Sequence, residues 1–141
     1  MSSGNSSKIE LYRIGYGLTE TGPDAILLPA EEAITKAGSI GLPSFHTALR
    51  IVDQEDQEAP QGEVGEVVIQ GPTVVSGYWN KPEATRDAFR DGWFHTGDLG
   101  YMDEDGYSFL VDRKKDMYIS GGENVYPTEV EKILYLNPKI A

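Results

Sequence analysis

Apolar positions fall in short runs broken by glycine, proline and acidic residues, a pattern that predicts more strands than helices. Ala48-Leu49-Arg50-Ile51-Val52-Asp53 and Glu66-Val67-Val68-Ile69-Gln70-Gly71 are β-rich runs. Residues 54–65 between them are acidic, contain proline and are expected on the surface. A third pair, Asp98-Leu99-Gly100-Tyr101-Met102 and Tyr107-Ser108-Phe109-Leu110-Val111, is joined by Asp103-Glu104-Asp105-Gly106. Asp-Gly between two such runs predicts a hairpin, because glycine accepts positive φ without steric cost. Met117-Tyr118-Ile119 and Asn124-Val125 flank Gly121-Gly122 and predict another.

Two helices are expected. Over residues 81–89, Pro82 sits in the first turn, where its missing N–H costs nothing, and Asn80 stands where it can cap. The second begins near Pro127, with Val130, Ile133 and Leu134 on one apolar face, and Asn137-Pro138 stops it. The chain contains no internal repeat.

Its 141 residues are of ordinary single-domain size, at which roughly two-thirds of the unfolded surface is buried. A hydrophobic content of 39% permits a modest core. The formal charge of −11 argues against a nucleic-acid partner, whose binding needs clustered Lys and Arg. Against that acidity the run Arg113-Lys114-Lys115 is where a phosphate could be tolerated, unless it is only a solvated turn between strands. The absence of cysteine excludes disulfides, thiolate metal sites and cysteine nucleophiles. Residues 1–14 are expected to be a flexible leader, since Met1-Ser2-Ser3-Gly4-Asn5-Ser6-Ser7 has no apolar core and is no signal peptide. No apolar run approaches the roughly 20 residues of a membrane span, so a cytoplasmic location is expected.

Candidate chemistry concentrates in three segments. Tyr16-Gly17-Leu18-Thr19-Glu20-Thr21-Gly22-Pro23 is a glycine-flexed turn carrying polar groups, and read alone it is no more than a turn. Thr96-Gly97-Asp98 and Asp112-Arg113-Lys114-Lys115-Asp116 add a carboxylate and a guanidinium. A nucleotide needs a face for its base, a partner for its ribose hydroxyls and positive charge for its phosphates. Tyr16, Asp98 and Arg113 are of the right types for those three tasks. Glu20 is suited to the magnesium that accompanies a triphosphate, since hard cations prefer carboxylate oxygens. Each has a bland counterpart: core packing for Tyr16, a turn aspartate for Asp98, a helix N-terminal box for Thr19-Glu20.

Other motifs fail. Gly17 to Gly22 has the glycine spacing of a P-loop, but Pro23 stands where its lysine belongs. Counting back from Gly106 puts Tyr101 at the first ligand position of a calcium loop. His46 and His95 lack zinc-ligand spacing, and the hydrolase elbow Gly-x-Ser-x-Gly is missing.

The three segments together resemble the adenylate-forming, AMP-binding superfamily of acyl-CoA synthetases, luciferases and peptide-synthetase adenylation domains. The resemblance covers about residues 16–134. Five motifs recur in order: Tyr16 to Gly22, Gly62-Glu63-Val64-Gly65-Glu66, Gly77-Tyr78-Trp79-Asn80-Lys81-Pro82, the Thr-Gly-Asp block, and Ser120-Gly121-Gly122-Glu123-Asn124-Val125-Tyr126-Pro127. The last, with Thr128-Glu129-Val130-Glu131, is most similar to acyl-CoA synthetases. Adenylation domains usually follow a more basic glycine segment with Leu-Gly-Glu, and plant-type ligases and luciferases often have lysines at the positions of Ile119 and Gly121.

The resemblance implies a strand-dominated α+β fold. Residues 15–39 would be the nucleotide-motif segment, 40–112 a distorted β-barrel subdomain of the large domain, and 113–141 the hinge and truncated start of a small C-terminal αβ domain. It also implies a fatty-acid–CoA ligase using ATP, magnesium and coenzyme A, passing through an acyl-adenylate and releasing AMP. Thr19 would meet the α-phosphate and Glu20 the magnesium. Tyr16 and Gly17 would lie against the adenine, and Asp98 and Arg113 against the ribose. Lys115 would be the hinge, and Gly121 and Gly122 would let the backbone approach the pantetheine arm of coenzyme A. The family's phosphate loop and C-terminal lysine cannot be located here, so an internal fragment, inactive by itself, is expected. A non-catalytic or homodimeric module and a piece of another adenylate-forming enzyme are the alternatives.

Overall fold

The computed structural model describes residues 13–140. The leader expected over residues 1–14 lies outside that span except for its last two positions, and Ile14 already opens a strand. Eight strands form one sheet: β1 (Ile14–Leu18), β2 (Gly22–Leu28), β3 (Ser39–Pro43), β4 (Ala48–Val52), β5 (Gly65–Gln70), β6 (Phe89–Arg90), β7 (Trp93–Met102) and β8 (Ser108–Arg113). Their order is β1-β2-β3-β8-β7-β5-β4, with β6 beside β7 and every pairing antiparallel. The sheet is open, with β1 and β4 at its two ends; among the described residues no pairing closes it into the expected barrel. The boundary expected between residues 39 and 40 falls inside β3.

The core sits on β2 and β5. Ile26, Val67 and Ile69 are fully buried and cluster with Ala25 and Ile51. β5 is buried from Gly65 to Ile69, as a continuous apolar run covered on both faces should be. One of those buried residues, Glu66, is charged.

Helix α1 (Pro82–Ala88) has proline in its first turn, as expected, but Asn80 does not cap it. Asn80 adopts φ +54° and Lys81 occupies the cap position without a side-chain bond. Thr85 closes the entry instead: its Oγ1 accepts from the Tyr78 N–H at 2.9 Å and donates to the Lys81 carbonyl at 2.9 Å. Strand β7 begins five residues before the predicted run, because Phe94, Thr96 and Asp98 alternate inward.

Beyond β8, residues 114–116 turn into a separate hairpin of β9 (Tyr118–Ser120) and β10 (Glu123–Val125), followed by α2 (Pro127–Tyr135). The first turn of α2 is held from a distance, since Asp112 Oδ2 accepts from Thr128 N at 3.0 Å and Thr128 Oγ1 at 2.8 Å. A carboxylate suits a helix N-terminus, where the unpaired N–H groups concentrate positive potential. Those bonds, the helix N–H first, hold the Asp112 carboxyl below the usual carboxylate range against the effect of burial. The apolar face predicted for α2 is uncovered: Val130, Ile133 and Leu134 are all exposed. No described helix is long and apolar enough to cross a membrane.

Candidate functional site

Tyr16 comes from β1, Asp98 from β7 and Arg113 from β8. Antiparallel register places Asp98 directly opposite Arg113. The β7 backbone leaves its regular ladder here: Glu66 pairs with Leu99 but Val68 pairs with His95, so β7 bulges across residues 96–98. Such bulges re-aim side chains. Side chains replace the lost ladder bonds, with Thr96 Oγ1 donating to the Val67 carbonyl at 2.7 Å and accepting from Asp98 N at 3.0 Å.

The three predicted side chains meet at one carboxylate. The Tyr16 hydroxyl donates to Asp98 Oδ2 at 2.6 Å, and Arg113 Nε lies 2.7 Å from Asp98 Oδ1. Asp98 is 8% exposed and Arg113 51%, so the guanidinium forms the solvent side of the cluster. Burial first, then the Asp98 hydrogen bond and charge, raise the Tyr16 hydroxyl well above the usual tyrosine range, leaving a neutral donor. The Tyr16 ring also packs against the core cluster. A cleft of about 350 Å³ opens over Tyr16, Leu18, Asp98, Leu110 and Arg113. A carboxylate offers about four acceptor sites, so one protein donor on each oxygen leaves a second lone pair on each.

Thr19 and Glu20 occupy the β1–β2 turn, which Thr21 locks by accepting from Leu18 N at 2.9 Å. They do not form a helix N-terminal box. Thr19 is exposed. Glu20 is tethered to the 71–79 loop: Tyr78 OH donates to its Oε1 at 2.8 Å, and its backbone carbonyl accepts from Val75 N at 2.8 Å. Burial and then Glu20 raise the Tyr78 hydroxyl. No group of three or more metal-ligating side chains exists among the described residues. A lone carboxylate such as Glu20 can give at most one side chain to a hard cation, whose other ligands would have to come from elsewhere.

The predicted glycines divide. A Cβ on Gly17 would lie 2.1 Å from the Gly22 carbonyl, so the β1–β2 crossing itself requires glycine there. Gly121 and Gly122 take φ +62° and +91° at the β9–β10 turn, where side chains are disfavoured and the surroundings are open. Neither is gathered to the Asp98 cluster. Lys115 is exposed in the 114–116 turn, beside a cleft it shares with Gly97, Arg113 and Lys114.

Sequence reasoning quoted Glu66 within a motif but gave it no task. It is 6% exposed, and its Oε2 lies 2.8 Å from Lys114 Nζ, 3.2 Å from His95 Nδ1 and 3.7 Å from Arg90 Nη2. Its Oε1 accepts from Gly97 N at 3.1 Å. Burial pushes its carboxyl up, but Lys114 and His95 outweigh that and hold it below the usual range. The available signal was a charge inside an otherwise apolar run, Glu66-Val67-Val68-Ile69.

This open, strand-dominated α+β sheet matches the fold of adenylate-forming enzymes. The chain belongs to the AMP-binding enzyme family, whose profile matches residues 8–79. It is 51% identical over 126 residues to a feruloyl-CoA synthase from Amycolatopsis sp, and 50% identical over 125 residues to the 2-succinylbenzoate–CoA ligase of Geobacillus kaustophilus. Those alignments take in 89% of this chain but 26% and 25% of the two relatives, so the chain spans about a quarter of their length. Among solved structures, the O-succinylbenzoate coenzyme A synthetase of Bacillus subtilis in complex with ATP and magnesium superposes with TM-score 0.83 at 40% identity, over 92% of this chain and 27% of that one. A fatty acyl CoA synthetase of Mycobacterium tuberculosis gives 0.73 at 47% identity, over 89% of this chain and 25% of that one.

Proposed function

We propose that this chain is the adenosine-gripping part of an AMP-forming acid–CoA ligase. The convergence of Tyr16, Asp98 and Arg113 on one carboxylate carries the reading. The two remaining lone pairs of Asp98 suit the vicinal hydroxyls of a ribose. Arg113, half exposed, swings from Asp98 to share its forked donors between ribose and phosphate. Tyr16 is fixed by its hydroxyl and presents its open side to the base. Thr19 offers a hydroxyl to the α-phosphate from the β1–β2 turn. Glu20 places one carboxylate for magnesium, which when bound neutralises charge on the phosphate oxygens.

In the proposed reaction an acid carboxylate attacks the α-phosphorus of ATP and pyrophosphate leaves. The coenzyme A thiol then displaces AMP. This chain's contribution is positioning and charge neutralisation. Lys115 is the hinge between those two half-reactions, and the open turn at Gly121 and Gly122 lets the pantetheine arm pass. The acid is proposed to be a fatty acid, a reading supported by the 47% identity to a fatty acyl CoA synthetase. An aryl acid is the second reading, favoured by the names of the feruloyl and succinylbenzoate enzymes.

The test is ATP–pyrophosphate exchange. The chain alone is expected to give none. A chimera in which residues 13–140 replace the matching quarter of the Bacillus subtilis synthetase is expected to exchange with that host's acid, and to lose exchange on Asp98→Asn. Exchange by the short chain would overturn its proposed inactivity. A folded chimera that exchanges equally well after Asp98→Asn would overturn the ribose role.

A further inference from the structure

The ribose carboxylate stands on a stretch of β7 that keeps its pairing with β8 but has left its ladder with β5, so on the β5 side something other than the ladder must hold it. Across residues 96–98 the β5–β7 pairing skips from Val68↔His95 to Glu66↔Leu99. Buried backbone N–H groups released this way need new acceptors. Glu66 Oε1 supplies one, taking the Gly97 N–H at 3.1 Å, immediately before Asp98. The same carboxylate reaches β8's end through Lys114 Nζ at 2.8 Å, immediately after Arg113. One side chain on β5 thus touches the chain neighbours of both proposed ribose ligands without touching either ligand.

We propose that Glu66 is a positioning residue for nucleotide binding, bracing the paired ends of β7 and β8 from the β5 side so that the bulge aims Asp98 and Arg113 at one ribose. The inference rests on the adenosine reading above and deepens it. Four nitrogens face the carboxylate: Gly97 N and Lys114 Nζ donate to it, and His95 Nδ1 and Arg90 Nη2 lie 3.2 Å and 3.7 Å away. Lys114 is 46% exposed, so the pair has one wet end and one buried end. Arg90 is itself shared, donating to His95 Nδ1 at 2.6 Å and to Asp56 Oδ1 at 2.9 Å. Loss of the Glu66 charge frees Lys114 and lets Arg90 and His95 rearrange, so the bulge loses the side-chain contacts that shape it. Asp98 then turns away from the cleft while its own carboxylate and the fold persist.

The test compares AMP with dideoxy-AMP, which lacks both ribose hydroxyls, by NMR titration of this chain. The wild-type chain is expected to prefer AMP. In Glu66→Gln that preference is expected to fall by roughly tenfold, the scale of one charged hydrogen bond, while dideoxy-AMP affinity stays unchanged. Because Asp98 mediates the effect, adding Glu66→Gln to Asp98→Asn should change nothing further. Should Glu66→Gln melt below room temperature, Lys114→Met, which removes only the exposed partner, is expected to lower the preference in the same direction. A folded Glu66→Gln, or in its place Lys114→Met, that keeps the full preference overturns the proposal, as does one that weakens both ligands equally. No preference in the wild-type chain would instead defeat the adenosine reading on which the proposal stands.

Discussion

Tyr16→Phe removes a single oxygen from the centre of the proposed site and leaves the ring packed on the core. The lost bond is a 2.6 Å donation to Asp98 Oδ2, an acceptor 8% exposed and carrying charge. Hydrogen bonds to charged groups contribute about 1.5–3 kcal/mol, so the variant is expected to be less stable by that much near neutral pH. The pH dependence gives a sharper signature. The hydroxyl is raised above its unfolded value by burial and by Asp98. Its contribution is therefore complete below about pH 10 and is lost as pH climbs toward the folded value, because only the unfolded phenol ionises in that window. The loss is about 1.4 kcal/mol per pH unit. The phenylalanine variant has no phenolic proton to release, so the wild-type and variant stabilities must converge by about 1.4 kcal/mol on going to about pH 11. Urea unfolding of both chains at stepped pH values reads this directly, and the difference cancels the other tyrosines. A gap that stays constant from neutral to alkaline pH would refute the claim that Asp98 holds the phenol protonated. A gap near zero at neutral pH would refute the bond itself.

Glu66 makes the opposite prediction on the acid side. Its folded value is depressed, so its stabilisation is present above the unfolded value of about 4.3 and disappears as pH falls through the folded one. Glu66→Gln should flatten the acid limb of the stability curve; an unchanged limb would count against the Lys114 and His95 pairing. Gly17→Ala should cost more than about 3 kcal/mol, because its Cβ would meet the Gly22 carbonyl at 2.1 Å and backbone cannot move aside cheaply. A thermal melt within a few degrees of wild type would show that the β1–β2 crossing can relax.

Local chemistry made much of this fold legible. Val67-Val68-Ile69 announced a buried strand, Asp105-Gly106 a hairpin, and Pro82 the start of a helix, because each signal is contained within a few residues. Strand β1 was harder, since Gly15 and Gly17 interrupt its apolar pattern and its pairing with β2 supplies the order. The types of Tyr16, Asp98 and Arg113 suggested a nucleotide, but their meeting is long-range: the sheet joins β7 to β8, and the Tyr16 hydroxyl reaches Asp98 from β1 although β2 and β3 stand between β1 and β8 in the order. Glu66 was missed for the same reason: its partners stand 24 to 48 positions away in the chain. The Asp112 hold on α2 is likewise long-range and replaces the local cap that Tyr126 does not provide.

The most direct measurement is an isotope-labelled NMR map of this chain titrated with AMP. Shifts should cluster at Tyr16, Gly97, Asp98, Arg113 and Lys114, and should shrink with dideoxy-AMP. Shifts that scatter elsewhere, or that are equal for the two nucleotides, would contradict a ribose held by Asp98.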